Sequence, residues 1–212
     1  MIIKFIGAVL LLAAPYKLFC QKNNTAVDEP SLTLRFNFLG LTDPSDQNLS
    51  FGIEKRFHTN WSTGTDAGWI FSSYIQTAKS VNGLIFRPFI RYYPRARSTF
   101  WEAELHYKYV NYKIEDWLGR DPVNNVPAFQ EYTIFDFNKE SVGIQFKWGV
   151  QANLSRDKRL KFEFTGGLGV RSRTHKVPGG IYTPASLFNN FNTEKQLSAV
   201  VPINARLIYV LK

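Results

Sequence analysis

From Ser31 onward, apolar and polar residues alternate with a period of two, the mark of strands whose two faces meet different surroundings. Leu32, Leu34, Phe36 and Phe38 alternate with Thr33, Arg35 and Asn37, and Leu49, Phe51 and Ile53 alternate with Ser50, Gly52 and Glu54. A weaker third run, 68–76, puts Trp69, Phe71 and Ile75 on one face; a fourth sets Phe86, Pro88, Ile90 and Tyr92 against Arg87, Phe89 and Arg91. The clearest runs come later. Trp101, Ala103, Leu105, Tyr107 and Tyr109 oppose Glu102, Glu104, His106 and Lys108, and Val142, Ile144, Phe146, Trp148 and Val150 oppose Ser141, Gly143, Gln145 and Lys147. Leu160, Phe162, Phe164, Leu168 and Val170 then oppose Lys161, Glu163, Thr165 and Arg171, and Val201 to Leu211 alternates around Asn204 and Arg206. The pattern predicts eight strands, mostly of about nine to thirteen residues.

Strands of that length exceed the five or six residues usual in soluble sheets and match the roughly 9 to 11 needed to cross a bilayer. The connections are predicted at 40–48, 57–66, 78–83, 94–99, 112–140, 152–158 and 172–198. The two long ones are fifth and seventh, so in a meander both fall on the same rim, as the long external loops of outer-membrane barrels do. With the termini on the other rim, Trp69, Tyr92, Trp101, Trp148 and Tyr209 are predicted to face outward as an aromatic girdle near the termini. The expected fold is all-β: an eight-stranded antiparallel up-and-down transmembrane β-barrel occupying residues 31–212. Pro88 and Pro202 fall inside predicted strands, and each implies a bulge or a missing ladder bond.

Composition narrows the setting. The chain has 212 residues, 44% hydrophobic and 16% aromatic, too apolar for disorder, and beyond its first twenty residues no apolar run approaches a membrane helix. Met1 to Lys4, the apolar Phe5 to Ala14 and the stretch ending at Cys20 read as a secretory signal peptide over 1–20, followed by a periplasmic segment over 21–30. Cys20, the single cysteine, is either removed with the signal or lipidated, so no disulfide framework is expected. The formal net charge of +9 comes from dispersed Lys and Arg, which points to outer-membrane lipid and lipopolysaccharide as partners and away from nucleic acid.

Asn37-Phe38-Leu39-Gly40, Gly52-Ile53-Glu54 and above all Arg87-Pro88-Phe89-Ile90-Arg91-Tyr92-Tyr93-Pro94 resemble a family of small exported barrels of the Bacteroidota, mostly of unknown function and similar in architecture to OmpA- and OmpX-type barrels. The resemblance implies an outer-membrane location, delivery by the barrel-assembly machinery, and no assigned chemistry. One departure is the terminal Lys212, where such barrels commonly carry an aromatic residue.

The same phases place Arg35, Glu54, Arg56, Arg87, Arg91, Glu102, Glu104, His106, Lys108, Lys147, Lys161, Glu163 and Arg206 inside. Glu104 and His106, two apart on one strand, could form an acid–base pair. An eight-stranded interior is just wide enough to be filled by side chains, however, and buried charges must pair, so a structural ion network is the expected role. Cations outnumber carboxylates on that list, which calls for bound water, carboxylates from loops, or strand ends read in the wrong phase. No catalytic residue, cofactor or metal site is assigned: with His58 read in a turn, His106 inside and His175 in a loop, none shares a predicted strand with a Ser two or three residues away, and no cluster has metal-ligand spacing. The expected function is structural or surface interaction through the long loops. A lipid-modifying outer-membrane enzyme and a soluble lipocalin-like carrier with an apolar cavity remain the alternatives.

Overall fold

The computed structural model describes residues 31–43, 46–75, 77–94, 98–121, 123–124, 126–178, 180 and 195–211. The signal-peptide and periplasmic-segment expectations fall on residues 1–30, outside the described residues, as do Tyr182, Phe188 and Phe191 of the last long connection. The strands are β1 (Leu32–Asn37), β2 (Gln47–His58), β3 (Trp61–Ser72), β4 (Ala78–Tyr92), β5 (Thr99–Arg120), β6 (Phe129–Asn153), β7 (Leu160–Lys176), β8 (Gln196–Val200) and β9 (Ile203–Leu211). A single 3-10 turn, Leu39–Thr42, follows β1.

From β1 to β8 each strand pairs antiparallel with the next, β9 pairs back to β7, and β1 pairs with β9 from Leu32↔Leu211 to Asn37↔Arg206, so the sheet closes into a ring. The ring has eight staves, because β8 and β9 share one: β7 pairs with β9 along Leu160–Gly166 and with β8 along Gly169–Arg173. The interruption between them is at Val201 and Pro202, where proline has no N–H to give the ladder. At Pro88 the β3 side of the ladder continues (Thr65↔Pro88), while the β4–β5 pairing passes from Phe86↔Tyr107 to Phe89↔Glu104 with Arg87 and Pro88 unpaired. Both prolines thus sit at gaps in the ladder.

Four boundaries differ from the sequence expectation, the first being the connection expected at 78–83, which lies within β4: Lys79, Ser80, Asn82 and Gly83 put polar or small residues on both faces and leave no hydrophobic period. β3 begins at Trp61, directly after a two-residue turn, because Ser62, Gly64, Asp66 and Gly68 alternate with Thr63, Thr65 and Ala67, which puts polar or small residues on both faces and leaves no hydrophobic period to detect. The expected loop 112–140 is mostly a continuation of β5 and β6, paired without interruption up to Arg120↔Phe129. Likewise β7 runs on to Lys176 and β8 starts at Gln196, so the ends of the expected loop 172–198 belong to the sheet.

We call the rim carrying the two-residue turn and both ends of the sheet the lower rim. Near it, Gly149 on β6 faces Phe100 on β5, their Cα atoms in register. A Cβ at Gly149 would lie 2.2–2.7 Å from three carbons of the fully buried Phe100 ring, whereas one at Gly166 would meet nothing within 4 Å. Gly149→Ala is therefore expected to cost about 1–3 kcal/mol through overpacking, and Gly166→Ala to stay within about 0.5 kcal/mol, when their denaturant midpoints are compared.

Candidate functional site

Of the residues placed inside by the sequence, Arg35, Glu54, Arg87, Arg91, Glu102, Glu104, His106, Lys108, Lys147, Glu163 and Arg206 are buried within the ring, whereas Arg56 and Lys161, near the lower ends of β2 and β7, are only partly buried. Two carboxylates join them that the sequence reading did not include, Asp66 on β3 and Asp46 just before β2. With these the fully buried set balances: Asp46, Glu54, Asp66, Glu102, Glu104 and Glu163 face Arg35, Arg87, Arg91, Lys108, Lys147 and Arg206. Asp66 was hidden in the stretch of β3 read as a connection, and Asp46 is a carboxylate supplied by a loop.

Arg91 is the hub of the lower network. Its Nε donates to Glu102 at 2.6 Å, its Nη1 to Glu54 at 2.9 Å, and its two terminal nitrogens make parallel bonds to Glu163 at 2.7 Å each. Such forked geometry matches guanidinium to carboxylate and is among the stronger charge-assisted arrangements. Lys147 spans Glu102 at 3.0 Å and Glu104 at 2.5 Å, and Arg206 joins Glu163 at 2.9 Å to Asp66 at 3.2 Å. Arg35 lies 3.5 Å from Asp66 and 3.6 Å from both Glu102 and Glu163. Ser62 and Tyr93 complete Glu54 with hydroxyl donors at 2.6 Å. Below this layer Arg91 rests on the Phe100 ring at 4.0 Å, and Arg35 covers Phe89 at the same distance. Glu104 is held by Lys147, so the structure joins that carboxylate to a lysine and not to His106.

A second knot lies higher, where Asp46 receives Lys108 at 2.5 Å, Lys139 at 3.3 Å and the Tyr112 hydroxyl. Above it the interior becomes apolar: Ile70, Ile85, Val110, Tyr112, Ile114, Leu118, Phe135 and Phe137 pack together inside the upper ring. Phe135 and Phe137, expected in a loop, are thus interior residues of β6, and Ile75 packs against the same cluster instead of sharing the outer face of Trp69.

The outer face reverses this order. Phe51, Leu84, Leu105, Ile144, Leu168 and Leu197 are among many exposed apolar side chains around the ring. Trp61, Tyr92, Trp101 and Trp148 stand in one register row across β3 to β6, near the lower rim. Tyr209 is exposed close to the end of β9, at that rim too. Trp69 is not in this group. It faces outward at the opposite end, in the row Trp69–Leu84–Tyr109–Glu140, because β3 starts earlier than the sequence suggested; Trp61 takes its place below. The upper aromatics keep polar tips bonded, Trp69 to Asn82 at 2.9 Å and Tyr109 to Asn138 at 3.0 Å.

At that upper row the pattern inverts. On β5, Trp101 to Tyr109 are apolar outside over charged Glu102 to Lys108, whereas above it Asn111, Lys113 and Glu115 point away from buried Val110, Tyr112 and Ile114. β6 inverts at the matching position, with Val142 to Trp148 apolar outside below, and Asp136, Asn138 and Glu140 outside above. Among the described residues no group of three or more His, Cys, Asp or Glu side chains is placed to hold a metal ion.

Two measurements test this interior. Glu163→Gln keeps the volume but removes the carboxylate shared by Arg35, Arg91 and Arg206, leaving the buried set with one uncompensated positive charge, and is expected to cost about 3–5 kcal/mol in denaturant unfolding. Asp46 lies beyond the upper aromatic row; burial alone would raise its pKa, but Lys139 and Lys108, with hydrogen bonds from Lys108 and Tyr112, hold it lowered from 3.8 to about 2. A carboxyl depressed in the folded state stabilises fully above its unfolded value and loses that contribution as pH falls through the folded one. The wild-type midpoint is therefore expected to drop between about pH 4 and pH 2, and Asp46→Asn to be less stable at neutral pH with that acid step flattened.

No family model, curated protein or solved structure matches the chain. The resemblance drawn from Arg87 to Pro94 rests on those residues alone.

Proposed function

We propose that this chain is a small outer-membrane β-barrel of the kind its Arg87–Pro94 motif resembles, with a filled, charge-paired interior and a surface-interaction role without catalysis. The observation that carries the reading is the inversion of both faces at the row Trp69–Leu84–Tyr109–Glu140. On β5 and β6, below that row the apolar side chains are outside and the charges inside; directly above it Tyr112, Ile114, Phe135 and Phe137 turn inside while Asn111, Lys113, Asp136 and Asn138 face out. A protein wholly in water has one favourable orientation of a sheet face along its length, so a switch at a common height on adjacent strands calls for two solvents.

The heights agree. Eight positions separate Trp61 from Trp69 and Trp101 from Tyr109, which is roughly 26 Å along a strand and roughly 20 Å in height at a tilt of about 40°, close to the apolar band of about 25 Å that such barrels present. Aromatic residues at both borders, with polar tips bonded at the upper one, suit headgroup depth. The outward direction of Trp61, Trp69, Trp101 and Trp148 also argues against a soluble carrier, whose aromatic residues would line an inner cavity.

Above the upper row β5 and β6 project as one hairpin, whose tip turns through Asp121 and Asn124 in left-handed conformation. Its outer face shows Trp117 and Tyr132, edge to face at 5.5 Å, with Phe129 and Ile134 also exposed. A rigid arm with exposed aromatics supports an interaction role for this rim; lipopolysaccharide would surround its base, and the assembly machinery would deliver the strands.

Expression of the full chain, membrane fractionation, detergent extraction and electrophoresis with and without boiling test the reading. A faster-migrating unboiled band in the outer-membrane fraction is expected. A soluble product whose mobility boiling does not change would overturn it.

A further inference from the structure

Between the lower network and the upper apolar cluster lies a layer in which Arg87 and Arg171 have no carboxylate within ion-pair distance among the described residues. Arg87, His106, Gly143 and Arg171 form one register row: His106 pairs with Gly143 and Gly143 with Arg171, while Arg87 falls opposite His106 at the ladder gap made by Pro88. One step higher, Lys108 pairs with Ser141 and Ser141 with Arg173. Gly143 brings no side chain to the row, so the flanking side chains face each other across its bare backbone.

The hydrogen-bonding state of these groups is uncommon. Arg87 is 7% exposed, His106 6% and Ser141 2%. Yet Arg87 Nε and Nη2, His106 Nε2, Ser141 Oγ and Arg171 Nε are all buried atoms with no hydrogen-bond partner among the described residues. Buried polar groups are paired in the great majority of cases, because each one left alone costs on the order of 1–3 kcal/mol, more when charged. The carboxylates that act on this layer are engaged elsewhere. Asp66, cross-strand from Arg87, is turned to Arg35 and Arg206, and Glu104 is held by Lys147. Arg171 feels Asp43 and Glu104 as attraction but Arg173 and Arg87 as repulsion, and His106 faces Arg171, Arg87, Lys108 and Lys147. Lys108 and Lys139 both converge on the single carboxylate of Asp46.

We propose that this layer is a binding site for a tetrahedral oxyanion of the phosphate type, free or as a terminal phosphate monoester. Three or four anionic oxygens would accept from the Arg87 and Arg171 guanidinium groups and from Ser141, satisfying the unpartnered donors and neutralising the repulsion between the arginines. Arg171 and Arg173 are only half-buried, so the anion would enter from the upper rim on the β7 side.

The test titrates the purified full chain by calorimetry and by heat unfolding followed through β-sheet circular dichroism, neither of which depends on membrane location. The probes are inorganic phosphate, sulfate, and chloride at matched ionic strength, with micellar phosphatidic acid as a second arm. Phosphate or sulfate is expected to bind and to raise the unfolding midpoint where chloride does not. Arg171→Gln, a half-buried change that the fold should tolerate, is expected to weaken binding about tenfold or more, and Arg87→Gln likewise. Arg120→Gln, which removes equal charge from the exposed hairpin tip, should leave binding intact. A response confined to phosphatidic acid and lost in Arg171→Gln supports the site with a lipid headgroup as its source. No preference over chloride, equal binding by Arg171→Gln, or equal loss in Arg120→Gln overturns the proposal.

Discussion

The rest of the structure depends on the cost of taking charge out of water. Each ion buried in the ring loses several kcal/mol of hydration, and only close, multiply bonded counter-ions return it. Arg91 meets this requirement by reaching Glu54, Glu102 and Glu163 at once, and those carboxylates are in turn shared with Arg35, Lys147 and Arg206. The lower interior is therefore a single web whose members hold one another's geometry. The closed ring supplies the other half of the solution, because it leaves no sheet edge along β1 and β9 and sets the facing strands close enough for these side chains to meet.

The outer face follows from the same economy of solvent. With charge occupying the lower and middle interior, the apolar residues of those strands have nowhere to go but outward. Higher up, the hairpin of β5 and β6 returns to the ordinary arrangement, with Tyr112, Ile114 and Phe137 inside. Charged web, exposed apolar belt and inverted upper cluster are three expressions of one boundary, which falls at Tyr109 and its register partners.

Much of this was legible in the sequence wherever one face was apolar and the other was not. The clear alternation from Trp101 to Tyr109 and from Val142 to Val150 fixes which residues point inward, and with them the interior charges. β3 was not legible, since Ser62, Gly64, Asp66 and Gly68 set small or polar residues opposite Thr63, Thr65 and Ala67. That loss moved Trp69 to the wrong rim and hid Asp66. The extension of β5 and β6 was missed for a different reason. At Val110 the alternation does not stop but changes phase, and a search for an apolar outer face ends where the apolar face has merely crossed to the inside. Asp46 was out of reach altogether, because nothing local says that a loop carboxylate will drop onto Lys108 and Lys139, which lie far away in the chain.

The lower web draws Arg35 from β1, Glu54 from β2, Asp66 from β3, Arg91 from β4, Glu102 from β5, Lys147 from β6, Glu163 from β7 and Arg206 from β9. Every stave contributes, and the pair that seals the circle joins the first strand to the last. Any open sheet on the way to that circle carries ions whose counter-ions have not yet arrived, and such an intermediate belongs in water or in the care of a chaperone, never in hydrocarbon. Arg91 with Glu102 and Lys147 with Glu102 can pair on neighbouring strands of an open sheet, but Arg91 with Glu163, Arg35 with Glu163 and Arg206 with Asp66 meet only once the circle is shut, so closure completes the neutralisation of the web.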